Sequence, residues 1–410
     1  MARVSPVPAR EPGWSGAVLR LKPGRDKSLR QHHPWIFSGA VDRVTGDPRS
    51  GETVVVTASD GAFLARAAYS PASQIRARAW SFEPGEEIDP AFFARRIARA
   101  VDARRALRGP ADTACRLVHG ESDGLPGVVA DVYGSVVVLQ LSAAGAERWR
   151  DVIVTALRSA TDASCIYERS DAEVRALEGL PVRTGPAFGA APAAVVMSEH
   201  GIGYRVDIAA GQKTGFFLDQ RDNRAAIRAC AAGRRVLNMF CYTGGFSLAA
   251  LAGGATEVLS VDSSADGLRL AAENLARNPA LPQGRATWRE ADAFRELRRL
   301  RDAGESFDLV VLDPPKFAPT AHHVERAGRA YKDINLWALK LLRPGGLLAT
   351  FSCSGAIDAP LFRKIVAGAA LDAAATAVVE RQFAASADHP VALAFPEGEY
   401  LKGLLVRRVA

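Results

Sequence analysis

Cysteine is sparse and scattered. The five thiols, Cys115, Cys165, Cys230, Cys241 and Cys353, are odd in number and form neither a CxxC pair nor a Cys/His cluster at metal-ligand spacing. That excludes a disulfide framework and a zinc site as expectations, and no metal is assigned. Each thiol is by default a small buried apolar residue unless its setting argues otherwise. Long apolar runs are missing too: no stretch approaches the roughly 18 residues of a membrane-spanning helix. The opening MARVSPVPAREPG lacks the apolar core of a secretory signal. No membrane partner is expected, and the cytoplasm is the expected address. No GxGxxG fingerprint occurs, which argues against a dinucleotide-dependent dehydrogenase.

What is present is ordinary globular material. The chain has 410 residues, 48% of them apolar and 24% charged, with 36 Gly and 23 Pro, and a mean hydropathy of -0.01. This is enough chain for several buried cores and excludes a structureless tail protein. The net charge of +7 is concentrated. Residues 1–110 hold 18 Lys and Arg against 11 Asp and Glu, and the remainder holds 34 of each. A basic module attached to a neutral body is how a nucleic-acid-binding protein looks, although a solvated basic surface has the same composition. Arg makes up 44 of the 52 basic residues, which suits bidentate phosphate contacts and equally fits a compositional bias.

From about Val18 to Phe82, short β-prone runs alternate with turns, and Val54-Val55-Val56, then Ser59-Asp60-Gly61, then Phe63-Leu64-Ala65 reads as a hairpin. Arg20, Lys22, Arg25, Lys27 and Arg30 cluster at the start of this module, ahead of Trp35 and Phe37, offering charges to phosphates and aromatics to bases. Both aromatics fit a core role equally well. A helix follows over 89–108 on the spacing of Phe92, Phe93, Ile97 and Val101, then two strand-like runs around a Gly/Pro-rich turn, then a second amphipathic helix. Glu121, Asp123 and Asp131 form an acidic edge better read as turn and cap residues. The expected domains are 15–85, 86–194 and 195–410: a small β-rich module, an α+β linking domain, and an α/β domain of alternating strands and helices. A late strand pair is expected near ALAFPEGEYLKGLLVRRV.

The carboxyl ends of strands in such a doubly wound sheet carry function. The first strand runs through Asn238-Met239-Phe240-Cys241-Tyr242-Thr243-Gly244-Gly245 into a helix, so backbone can approach a nucleotide-like ligand at a helix N-terminus. Asp262 closes the second strand, where an acid can hold ribose hydroxyls; Asp292-Ala293 close the third, and Asp313 closes the fourth in VVLDPPKF. One such acid is commonplace as a helix cap, whereas a register of them points to a cofactor. The fifth strand ends in FSCSG, which puts the Cys353 thiol over the same crevice.

These motifs, with GQKTGFFLDQR over 211–221, Asp388-His389-Pro390 and Pro396-Glu397-Gly398, closely resemble the RlmI-like family of S-adenosylmethionine-dependent cytosine-C5 methyltransferases of large-subunit ribosomal RNA. The resemblance covers nearly the whole chain. It implies an N-terminal PUA RNA-binding domain, an α+β linking domain and a Rossmann-like catalytic domain. It further implies S-adenosylmethionine held by Asn238, Phe240, Tyr242, Thr243 and Gly244 on the methionine side, Asp262 and Ser263 at the ribose, and Asp292 and Ala293 at the adenine. Phe217, Asp219 and Gln220 would form an additional wall.

Cytosine C5 is a weak nucleophile, so the enzyme first adds a thiolate to C6, and Cys353 is the thiol placed to do so. Asp313 would face the base. Related RNA methyltransferases carry a second Cys just after the proline of the fourth-strand motif; here Lys316-Phe317 stand there. That leaves Asp313 or a water to take the C5 proton, and Lys316 to contact phosphate or solvent. Two alternatives compete: nitrogen methylation by the Asp-Pro-Pro motif, whose aromatic, Phe317, comes one position late, and a noncatalytic ribosome-assembly factor. The partner expected is ribosomal RNA, with a second copy of the chain left open.

Overall fold

The computed structural model describes residues 16–318 and 323–409, and the chain divides into two compact units. The first comprises residues 1–197, 206–216 and 388–398; the second comprises 198–205, 217–387 and 399–410.

In the first unit, strands Val18–Leu21, Trp35–Phe37, Val41–Thr45, Thr53–Thr57, Phe63–Tyr69 and Ile75–Ser81 form a six-stranded sheet. The Asp60-Gly61 turn joins Thr53–Thr57 to Phe63–Tyr69 in antiparallel register, Val56 opposite Ala65. Alternate side chains such as Leu19, Leu21, Val54 and Val56 face a common core, as the period-2 geometry of strands requires. A five-stranded sheet follows: Ala114–His119, Val128–Tyr133, Val136–Leu141, Cys165–Ser170 and Arg183–Phe188. It has three strands, not two, between residues 114 and 141, because Gly134 (φ 59°) turns the chain within the apolar run that the sequence presents as continuous. Helices Pro90–Ala103, capped by the Asp89 carboxylate on Phe92 N–H at 2.7 Å, and Arg150–Ala160 bury Phe92, Phe93, Ile97, Ile153 and Leu157 against this sheet.

The two sheets share core. Ala68 and Trp80 of the first lie in the cluster of the second, and a Cβ on Gly145 would come within 2.3 Å of the Ala68 methyl. Of the acids read as turn and cap residues, Glu121 and Asp123 do lie in the turn Gly120–Asp123, where Asp123 accepts His119 N–H at 2.6 Å, whereas Asp131 stands in a strand and is ion-paired instead. Asp131, 1% exposed, takes Arg116 Nε and Nη2 at 2.7 and 2.8 Å and the Thr214 hydroxyl at 2.5 Å. Asp388 accepts the Arg116 backbone N–H at 2.8 Å. The GQKTG and Asp388-His389 motifs therefore dock on the linking sheet. Cap chemistry missed this because pairing 83 or more residues apart leaves no local signal.

The second unit is a seven-stranded sheet with strands β1 (Arg235–Met239), β2 (Glu257–Asp262), β3 (Ala286–Glu290), β4 (Phe307–Leu312), β5 (Leu342–Ser352), β6 (Ala377–Ala384) and β7 (Lys402–Arg408). Their spatial order is β3-β2-β1-β4-β5-β7-β6. The first five are parallel, and β7 is antiparallel to both β5 and β6. The expected late pair is thus corrected: β6 lies earlier, at 377–384, and the ALAFPEG stretch, residues 392–398, belongs to the first unit. Apolar runs such as Leu309 to Leu312 are buried on both faces, as parallel strands covered by helices must be. The order reverses between β1 and β4, and a ligand crevice is expected beyond the carboxyl ends at that point. Among the described residues, no helix is long and apolar enough to cross a membrane.

Candidate active site

Register decides what the crevice contains. Met239 lies opposite both Val261 and Leu312, and Leu312 lies opposite Thr350. One step beyond, Phe240, Asp262 and Asp313 emerge at one level, and Cys353 lies two residues past that level, just after the end of β5.

The turn after β1 is strained. Phe240 (φ 61°) and Tyr242 (φ 48°) are left-handed without being glycine, at about 1 to 2 kcal/mol each. The Asp262 carboxylate holds this shape, its Oδ2 accepting Tyr242 N–H at 2.8 Å and its Oδ1 accepting Ser264 N–H at 2.9 Å. Each oxygen keeps a further lone pair for an incoming hydroxyl. At Gly244 (φ 84°) the left-handed backbone favours glycine, and a Cβ would sit a tight 3.1 Å from side-chain atoms of Ala271, Leu248 and Trp288. Asn238 donates to Ser247 Oγ at 2.8 Å, but its Oδ1 and the Thr243 Oγ1 are buried without a hydrogen-bond partner. Two orphaned buried acceptors cost free energy unless a ligand donor meets them. They fit an ammonium or amide donor.

Phe217 packs edge-on to Tyr242, with centroids 5.5 Å apart. Gln220 Nε2 donates to Asp313 Oδ1 at 2.9 Å, while Asn223 Nδ2 donates to Gln220 Oε1 at 2.6 Å and to the Ala384 carbonyl at 3.0 Å. This chain fixes the Gln220 amide and keeps Asp313 an acceptor. Asp219 accepts the Tyr400 hydroxyl at 2.6 Å. Ser263 is exposed beside Asp262. Asp292, also exposed, caps the helix Ala293–Asp302 by accepting Arg295 N–H at 3.0 Å, and Ala293 is buried.

Cys353 is partly exposed between two fully buried serines. Ser352 Oγ donates to Tyr331 Oη at 3.0 Å, Ser354 Oγ lies 3.1 Å from the same hydroxyl, and Ala318 N–H donates to Ser354 Oγ at 3.1 Å. On the far side Lys402 Nζ donates to the carbonyls of Ser354 and Ile357. The Ser-Cys-Ser turn is therefore pinned from a helix and from a neighbouring strand while its thiol is presented. Cys241, by contrast, is a packing residue: burial first, then Asp262, pushes its thiol well above the ordinary range. Phe317 packs against Tyr331 at 4.8 Å and Phe294 at 5.8 Å, so it fills core. Lys316 is exposed.

The sequence reading missed Tyr331, Asn223, Tyr400 and Lys402. Only Lys402 left a signal, a lone lysine in the apolar run LKGLLV.

Of the basic cluster, Lys22, Arg25, Lys27 and Arg30 are exposed and Arg20 is half-buried. Arg30 pairs with Asp26 at 2.7 Å and Lys22 donates to the Gly39 carbonyl at 3.1 Å. Trp35 is committed, its Nε1 donating to Glu121 at 2.8 Å and its ring edge-on to Phe395. Phe37 is 48% exposed.

Residues 187–404 match the family model of S-adenosylmethionine-dependent methyltransferases, and residues 19–82 match that of PUA-like domains. The chain is 51% identical over 391 residues to Ribosomal RNA large subunit methyltransferase I of Shewanella amazonensis, covering 95% of this chain and 98% of that one. It is 50% identical to the protein of that name from Klebsiella pneumoniae, with the same coverage. A solved Streptococcus mutans structure described as a SAM-dependent methyltransferase superposes with a TM-score of 0.82 over 95% of this chain and 99% of its own at 23% identity. That last likeness concerns the fold.

Proposed function

The chain belongs to the S-adenosylmethionine-dependent methyltransferase family that includes ribosomal RNA large subunit methyltransferase I, and on that premise we propose that it methylates cytosine C5 in large-subunit ribosomal RNA through a Cys353 adduct. When bound, S-adenosylmethionine supplies an electrophilic sulfonium methyl group. The crevice suits it: Asn238 Oδ1 and Thr243 Oγ1 are buried acceptors for the donors of its amino-acid end. Phe240, Tyr242 and Gly244 shape the turn around that end. Asp262 with Ser263 would take the ribose hydroxyls, Asp292 and Ala293 the adenine, and Phe217, Asp219 and Gln220 the remaining wall.

The observation that carries the chemistry is the parallel pairing of β4 and β5, Leu312 opposite Thr350, so that Asp313 and, two residues beyond its level, Cys353 follow the carboxyl ends of neighbouring strands. The Cys353 thiolate adds to cytosine C6, and the electron pair displaced onto C5 makes that carbon the nucleophile that would take the methyl group, the sulfonium sulfur keeping the electron pair of the broken S–CH3 bond and leaving as a neutral thioether. Loss of the C5 proton to a base then expels the thiolate, restoring the aromatic ring and the enzyme. Asp313, held as an acceptor by Gln220, or a water beside it serves as that base. Phe317, packed into core, is not free to stack on a base as nitrogen methylation by an Asp-Pro-Pro motif would need. Lys22, Arg25, Lys27, Arg30, Arg20 and Lys316 would contact RNA phosphates. The reading needs no second copy of the chain, and it assigns the activity to the compartment that holds ribosomal RNA, the cytoplasm.

Incubation with undermodified large-subunit ribosomal RNA and methyl-labelled cofactor, followed by nucleoside mass spectrometry, tests this. The product expected is 5-methylcytidine, absent with Cys353→Ala although that variant still binds cofactor. A labelled purine, an N-methylcytidine, or normal turnover by Cys353→Ala would each overturn the reading.

A further inference from the structure

Several strongly buried arginines in this fold are paired with carboxylates: Arg78 with Glu178, Arg104 with Asp123, Arg116 with Asp131, Arg224 with Glu199. Lys402 is different. It is 7% exposed, opens β7 opposite Ser352 of β5, and spends its Nζ hydrogen bonds on two carbonyls, Ser354 at 2.8 Å and Ile357 at 2.6 Å. An ammonium withdrawn from water without a bonded carboxylate is costly unless another anion compensates. Both carbonyls belong to the turn immediately after Cys353, which Ile357 N–H closes on the Ser354 carbonyl at 3.1 Å. Burial pulls the Lys402 ammonium below its ordinary range, and of the groups opposing that pull Cys353 ranks first, ahead of Glu399 and Asp358.

We propose that Lys402 is the positioning residue of the Cys353 nucleophile: it clamps the turn through the two carbonyls and supplies the positive charge that favours the thiolate. The proposal rests on the reading of Cys353 as nucleophile and adds the device that activates it. Among the described residues, the other charged and titratable groups acting on this pair include Tyr331 from the helix Val324–Leu341, whose proton burial retains, Asp358 at the start of the helix Ala359–Asp372, Glu399 before β7, and Lys316 after β4. Asp358 and Glu399 are acidic and oppose thiolate formation, whereas Lys402 and the exposed Lys316 are cations that favour it.

The test is the rate of iodoacetamide alkylation at Cys353 as a function of pH, read by peptide mass spectrometry on the full-length protein, with the buried Cys241 as an internal monitor of unfolding. In the wild type the midpoint should lie below the ordinary thiol value of about 8.5. Lys402→Met should raise it by about one pH unit or more and Lys402→Arg should restore it. A wild-type midpoint at or above the ordinary value overturns the proposal without any variant. So does an unshifted midpoint in folded Lys402→Met. A role confined to holding the turn would change the alkylation rate at every pH and leave the midpoint in place. Methylation by Cys353→Ala would sink the nucleophile reading while leaving the alkylation midpoint interpretable.

Discussion

Replacing Asp262 by alanine probes the crevice where geometry and binding are most tightly coupled. Its carboxylate ties down Tyr242 N–H and Ser264 N–H, the first of them inside a turn that carries two left-handed residues. Each charge-assisted hydrogen bond is worth about 1.5 to 3 kcal/mol where water is excluded. Asp262 is only half-buried, so water replaces part of this interaction in the variant, and a decrease in unfolding free energy of about 1 to 3 kcal/mol is expected. Binding should suffer more, because both ribose acceptors go and the turn is free to relax from its strained form. Two hydroxyl hydrogen bonds to a carboxylate, at about 1.5 to 3 kcal/mol each, correspond to a loss of roughly two to four orders of magnitude in affinity. Calorimetric titration of S-adenosylmethionine against the variant, alongside a urea melt, reads both quantities. A dissociation constant within about threefold of wild type would refute the assignment of Asp262 to the cofactor, and an unchanged melt would refute its role in holding the turn.

His119 should make the protein acid-sensitive. Burial, then the Arg116 charge beside it, pushes its pKa down to about 2. Between that value and the ordinary 6.5 the unfolded chain binds the extra proton, so stability is lost as pH falls, by up to about 1.4 kcal/mol per unit. Denaturant titrations near pH 7 and near pH 5 should differ by about 2 kcal/mol more in wild type than in His119→Gln; equal differences would contradict this. Reversing Lys22, Arg25 and Lys27 together to glutamate should weaken RNA binding and lower the slope of log affinity against log salt by about one for each phosphate left without its cation. The melt should change little, because all three are exposed and the one bond lost, Lys22 to the Gly39 carbonyl, lies at the surface. An unaltered salt slope would remove the basic cluster from the RNA interface. Charge reversal is a cleaner test than deleting residues 1–85, since Trp80 lies in a core shared with the linking sheet.

The crevice was legible because its signals are local. Apolar strands ending in an acid or a thiol, Asn238 to Gly245, Asp262, Asp313 and Cys353, reveal their position by pattern, and parallel register brings them level. The hairpin at Asp60-Gly61 was legible for the same reason, its turn chemistry lying between two β-prone runs. What escaped is long-range. Asp131 reads as a turn residue until Arg116 and Thr214 are seen around it. The 388–398 segment reads as part of the last strands until Asp388 is found on the Arg116 backbone. Residue types alone name neither the Gln220–Asp313 bond nor Tyr331 behind the serines, because each partner is conventional by itself.

The central claim is a covalent bond between Cys353 and cytosine C6, and it is tested most directly with RNA carrying 5-fluorocytidine, whose C5 has no proton to lose after methyl transfer. The adduct should accumulate in the presence of S-adenosylmethionine as a denaturation-resistant protein–RNA complex, and peptide mapping should find the nucleotide on Cys353. Methylation of ordinary RNA with no trapped complex, or a nucleotide attached to another residue, would contradict the account.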